Sequence, residues 1–170
     1  MERHYSEIRD AYFEQISLNI SRGYYRYIGK GSGRAVYDLG NGKVVKAARN
    51  RKGIAQNEAE YRIALVDDSG LFAKVSAVSG DYRFLVMDKA DRIKDISFVW
   101  RYFLVRSNKG LYQIQKIRDI AEKYDLLIWD LGRAVNWGRI NGKPIIIDYG
   151  FTREVRREFY KTEVIGKQRK

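Results

Sequence analysis

The chain has no cysteine and a single proline. Without cysteine there is no disulfide framework and no thiolate metal site. That composition fits a reducing compartment. No apolar run approaches the roughly 18 residues that a membrane-spanning helix needs, and no signal-peptide core is visible. The expectation is a cytoplasmic protein that does not enter the membrane. Internal repeats, low-complexity segments and long linkers are missing as well. Acidic residues are in short supply, 21 against 33 lysines and arginines, which leaves a formal charge of +12.

What is present is substantial. Apolar residues make up 45% of the 170, enough for one domain with a real core or for two small lobes. Thirteen tyrosines, seven phenylalanines and three tryptophans are available for burial and stacking. The positive field attracts polyanions: nucleotides, nucleic acid, anionic surfaces or acidic proteins. The basic residues concentrate at 43–52 and 153–170, but elsewhere they are spread as on any solvated surface.

Residues 2–22 read as one amphipathic helix, with Tyr5, Ile8, Tyr12, Ile16 and Ile20 at helical spacing, Phe13 flanking the stripe and Gly23 as a stop. Packing on the body of the domain is the simpler use of such a helix; docking a partner is the other. Two β-rich runs then flank Gly29, Gly31 and Gly33, and Gly40-Asn41-Gly42 turns the chain into Lys43–Ala48. A glycine-rich turn lets backbone N–H groups approach a phosphate chain, and Lys46 on the next strand can add an ammonium. Residues 54–66 read as a helix, from which Glu60, or else Glu58, can hold Lys46. Strands are expected at 71–78 and 82–87, and helices at 95–105 and 110–124.

Residues 127–150 form the most informative stretch. Asn141-Gly142 is a hairpin signal between Asn136–Ile140 and Pro144–Ile147. The hairpin gathers Asp130, Asn136 and Asp148 toward its open end. Two carboxylates and an amide suit a hard cation such as Mg²⁺; the plainer alternative is a hairpin with solvated polar ends.

The order of these features resembles the protein-kinase-like fold in a compact prokaryotic or viral form. Ile28, Gly29 and Val36 match the family's glycine loop in register, although its third glycine falls one place early, at Gly33, where Arg34 would match. Val44-Val45-Lys46 approximates the strand pattern, and Leu85–Ala90 looks like the hinge. Asp148-Tyr149-Gly150 matches Asp-Phe-Gly. Asp148 lies 18 residues after Asp130, as in the family, and Asn136 comes one residue late. The family's His-Arg before the aspartate is Ile128-Trp129 here.

The resemblance implies an α+β fold: a small five-stranded antiparallel N-lobe with one helix, and a reduced helical C-lobe carrying the hairpin. Its segments would be an N-terminal helix at 1–23, the N-lobe at 24–88 and the C-lobe with a basic tail at 89–170. It implies an ATP- and Mg²⁺-dependent phosphotransferase acting on a protein hydroxyl, of self or of a partner. Gly29, Gly31, Ser32, Gly33, Val36, Lys46, Met87, Asp88 and Ala90 would bind ATP. Glu60 would orient Lys46, Asn136 and Asp148 would hold Mg²⁺, Asp130 would serve the acceptor proton, and Arg133 would neutralise the γ-phosphate. Kinases carry a peptide-binding platform beyond Asp-Phe-Gly, and the 20 residues after Gly150 offer no counterpart. The alternative is therefore an inactive kinase-like protein whose basic surface docks nucleic acid or an acidic partner. A basic protein of this size would suit a phage or bacterial mobile element, with the host cytoplasm as its location in the phage case.

Overall fold

The computed structural model describes residues 2–160, with side chains from residue 7 onward. It is mixed α+β, and its described residues divide into two units. The first holds the residues up to Tyr61 together with Lys74–Lys89. It begins with α1 (Glu2–Ser21), followed by β1 (Arg26–Lys30), β2 (Arg34–Asp38), β3 (Lys43–Ala48), α2 (Arg51–Val66, of which Arg62–Val66 belong to the second unit), β4 (Val75–Val78) and β5 (Phe84–Asp88). The strands form one antiparallel sheet in the order β1-β2-β3-β5-β4. The helix α1 stops at Gly23, whose φ of +70° lets its N–H and that of Tyr24 turn back to the Ile20 and Asn19 carbonyls.

Strand alternation sorts the side chains of β3. Val45 faces α1 and is fully buried in a cluster with Phe13, Ile16 and Val86. The rings of Phe13 and Phe84 stack 6.1 Å apart. Lys46 faces the opposite side of the sheet, where it meets Glu60 of α2. The α1 stripe therefore differs from the expected one: Phe13 and Ile16 are core, whereas Ile8 and Tyr12 are exposed. Phe13, which flanks the stripe, joins the core because its ring stacks on Phe84, while Ile16 of the stripe is buried and Ile20 packs against the same cluster. The side chain of Tyr5 lies outside the described residues.

The helix α2 starts three residues before the expected position 54. Asn50 caps it, accepting the Gly53 N–H at 3.0 Å. The apolar run at 71–78 is not one strand. Only Val75–Val78 joins the first unit's sheet, whereas Leu71–Ala73 hydrogen-bonds to Ile146 in the second unit. The 82–87 strand begins later, at Phe84, because Tyr82 has φ of +56° and closes a turn onto the Ser79 carbonyl.

The second unit holds Arg62–Ala73 and the described residues from Ala90 on. Its elements are β6 (Asp91–Arg92), α3 (Ser97–Tyr102), α4 (Asn108–Leu111), α5 (Gln115–Lys123), β7 (Trp137–Ile140), β8 (Lys143–Ile146) and α6 (Arg153–Tyr160). The β7–β8 hairpin turns on Asn141 and Gly142, both at positive φ. This is the two-residue turn that matches strand twist.

Both helices expected between the sheets are shorter than the periodicity suggested. The α3 helix ends at Tyr102, and Leu104 sits at φ of +57° with 92% of its surface exposed. The 110–124 helix is split: Ser107 caps α4 by accepting the Gly110 N–H, and α5 begins only at Gln115. Thr152 caps α6, and Arg153, Arg156 and Arg157 are exposed on it. Lys161, Lys167, Arg169 and Lys170 of the basic tail lie outside the described residues. Among those described, no helix is long and apolar enough to cross a membrane.

Candidate functional site

In the first unit the glycine run folds as a tight turn between β1 and β2. Gly29 pairs with Val36, and the Gly31 N–H donates to the Arg34 carbonyl at 2.9 Å. The three glycines have different surroundings. A Cβ on Gly29 or Gly31 would point into open space. A Cβ on Gly33 would stand 2.9 Å from the Gly53 nitrogen, and one on Gly53 would stand 2.1 Å from the Gly33 oxygen. Gly33 is thus glycine because the start of α2 lies against it. The Arg49 N–H donates to the Gly33 carbonyl, and the Asn50 amide donates to the Ser32 carbonyl. Gly29 and Gly31 keep the approachable backbone, and the half-buried Val36 follows on β2.

Behind the turn lies a buried ionic group. Lys46 Nζ donates to both carboxylate oxygens of Glu60, at 2.7 and 2.8 Å. Arg34 Nη1 is 3.0 Å from Glu60 Oε2 and donates to Asn57 Oδ1 at 3.2 Å. All four side chains are buried, Glu60 and Asn57 completely. Asn57 in turn donates to the Lys46, Tyr82 and Arg83 carbonyls, which ties α2 to the sheet. Charges this deep are tolerable only when paired and hydrogen-bonded. Glu58, the other glutamate considered, is half-buried. Sequence reasoning missed Arg34 and Asn57. Asn57 three residues before Glu60 was a usable signal, since the two share one helix face.

The segment expected to contact a base is less open. Met87 is buried in β5 opposite Val44. The Asp88 N–H donates to the Lys74 carbonyl, and the Asp88 carboxylate pairs with Lys43. The Lys89 N–H donates to Gly42. Asp88 and Lys89 therefore spend their amides within the protein. Ala90 belongs to the second unit, where a Cβ on Gly138 would meet its methyl at 2.5 Å.

In the second unit two consecutive 3₁₀ turns, Asp130–Gly132 and Ala134–Asn136, carry the acid and the amide, with Arg133 extended between them. This accommodates the extra residue noted in the spacing. Asn136 Nδ2 closes the loop on the Asp130 carbonyl at 2.8 Å. The Asn136 carbonyl then accepts the N–H groups of Ile147, at 2.8 Å, and Asp148, at 3.4 Å. Asp148 is so fixed beside Asn136. Tyr149 is buried, its hydroxyl donating to the Ala73 carbonyl and its ring 4.7 Å from Phe72.

Side chains from outside the loop hold it in place. The Tyr112 hydroxyl donates to the Trp129 carbonyl, Asn108 to the Gly132 carbonyl and the Trp137 indole to the Leu131 carbonyl. The Trp100 indole fixes Asn108. Gly132 admits them: a Cβ there would lie 2.1 Å from the Tyr112 oxygen. Nothing in the primary sequence marks Asn108 and Tyr112 as loop partners, because they are 24 and 17 residues away from their acceptors.

Burial pushes the Asp130 carboxyl above the ordinary range, and the Asp148 charge adds to that; the Arg133 guanidinium, 3.2 Å from Oδ1, works against both. The Tyr112 phenol is also raised, by burial and then by Asp130.

Asn136 and Asp148 fit a hard cation in part. The Asn136 nitrogen is committed to the Asp130 carbonyl, so Oδ1 is its atom left to face a metal. No group of three or more His, Cys, Asp or Glu among the described residues could hold a metal. A cation here would keep water or ligand oxygens in most positions, as Mg²⁺ does.

No family model and no curated protein matches the chain. Among solved structures it is similar to the streptomycin–ATP–APH(2'')-IIa ternary complex, at 17% identity over 82% of this chain and 70% of that one, with a TM-score of 0.45.

Proposed function

We propose that the protein is an ATP- and Mg²⁺-dependent phosphotransferase of protein-kinase-like design. The observation that carries this reading is the buried Lys46–Glu60 pair. A lysine in the middle of a sheet, held by a helix glutamate beside a glycine turn, has no simpler use than to present its ammonium to phosphate.

The parts divide by unit. In the first, the backbone at Gly29 and Gly31 with Ser32 would cover the phosphates, and Lys46 would hold them. Val36 and Met87 would flank the base. In the second, Asp148 and Asn136 would hold Mg²⁺, which supplies charge neutralisation at the phosphoryl group when bound. Asp130 would accept or orient the acceptor's proton, and Arg133 would steady its charge or that of the γ-phosphate. Phosphoryl transfer asks for little more than such positioning and neutralisation. The acceptor is proposed to be a protein hydroxyl.

The test is thermal unfolding with and without Mg²⁺-ATP. A ligand that binds only the folded state at 100 times its dissociation constant adds about 2.7 kcal/mol. The wild type should therefore show a clear rise in Tm, and Asp148→Ala a much smaller one. An unchanged Tm of the wild type at millimolar ATP would reject the reading.

A further inference from the structure

We infer that Arg34 is a positioning residue that makes the glycine turn, α2 and the Lys46 ammonium one rigid phosphate-facing part. This deepens the proposed nucleotide reading and rests on it. Arg34 occupies the place where the resemblance would put a third glycine, yet its side chain turns inward and is 5% exposed. The guanidinium reaches two groups on α2, Glu60 Oε2 at 3.0 Å and Asn57 Oδ1 at 3.2 Å. Its own backbone closes the glycine turn by accepting the Gly31 N–H. One residue thus fastens the turn to the helix from the side-chain end. Gly33 does so from the backbone end, through its contact with Gly53 and the Arg49 N–H.

Arg34 and Lys46 both pair with the Glu60 carboxylate, at 3.0 and 2.7 Å. A planar guanidinium can bond both acceptors at once with fixed geometry, which an ammonium on a flexible stem cannot do as well. Arg34 therefore sets where Glu60 sits, and through Glu60 where the Lys46 ammonium sits.

The experiment uses the full chain and compares Arg34→Met and Arg34→Lys with wild type. Affinities for Mg²⁺-ATP and for adenosine are measured by calorimetry, and amide hydrogen exchange is followed without ligand. Loss of a charged hydrogen bond is expected to weaken ATP binding about tenfold or more in Arg34→Met, with adenosine within about twofold. Arg34→Lys, which keeps the charge but not the planar fork, should recover only part of the ATP affinity. Exchange at the Gly31, Arg49 and Gly53 amides should rise in Arg34→Met ahead of the amides of β3 and β5. ATP affinity equal to wild type would overturn the inference, and so would equal weakening of ATP and adenosine. If wild type binds no ATP, the nucleotide reading fails and the exchange data decide alone: a local rise supports the positioning role, and a uniform rise or none overturns it. If Arg34→Met does not fold, Arg34→Lys carries the test, with locally raised exchange expected and wild-type exchange overturning the inference.

Discussion

Asp130 has a burden that an ordinary surface aspartate lacks. It is buried, the Asp148 charge disfavours its ionised form, and Arg133 pairs with it at 3.2 Å. If it acts in transfer, Asp130→Asn keeps the shape and the loop but removes the proton acceptor. ATP affinity should stay near wild type while the transfer rate falls by about 10²-fold or more, measured with γ-labelled ATP and the partner or self as acceptor. Arg133→Gln tests the electrostatics. Without the guanidinium the carboxyl rises further, so a reaction needing ionised Asp130 should lose rate at a higher pH on its acid side. A pH–rate profile whose acid limb does not move, or moves down, would contradict the assignment. The grouping of these residues was legible, their roles only by resemblance. Asp130, Asn136 and Asp148 stood out because Asn141-Gly142 marks a hairpin that gathers them, and Lys46 because its apolar strand follows a glycine turn. Arg34 did not, because an arginine after a glycine turn reads as solvated until α2 is placed above it.

At the scale of elements, the helix–turn contact is the most exacting. Glycine in a helix normally costs about 1 kcal/mol relative to alanine, so Gly53→Ala would ordinarily stabilise. Here the added methyl would stand 2.1 Å from the Gly33 oxygen, a backbone atom that cannot swing aside. Overpacking of this kind costs about 1–3 kcal/mol, so the clash wins and Gly53→Ala should lower stability in urea. Gly29→Ala, which meets nothing within 4 Å, is the matched comparison. The elements themselves were unevenly legible. The hairpin at 136–147 and the glycine and lysine strands announced themselves by turn residues and alternation. The helices at 95–105 and 110–124 were overdrawn because apolar spacing continues through Leu104 and Gly110, where a left-handed residue and the Ser107 cap end and restart the chain. The run at 71–78 was misread because its two halves bond to different sheets, a tertiary fact with no local mark.

For the molecule as a whole, acid should find a weak point in the first unit. Asp38 is held well below the usual carboxylate range, by Lys89 first and then by the Gly40 N–H and Arg26. A depressed carboxyl stabilises the fold above its unfolded pKa of about 3.9, and the contribution is lost as pH falls through that value toward the folded one. Asp38→Asn should therefore lower Tm at pH 7 and make progressively less difference below about pH 4; an equal Tm loss at both extremes would contradict the linkage. How that unfolding is watched matters. Trp100, Trp129 and Trp137 all belong to the second unit, and the first has no indole. Ultraviolet emission excited at the indole band is blind to the sheet that carries Lys46. An acid or urea transition seen in ellipticity but not in that emission would mean the first unit melting alone, and a single shared midpoint would mean that the two units lose structure together.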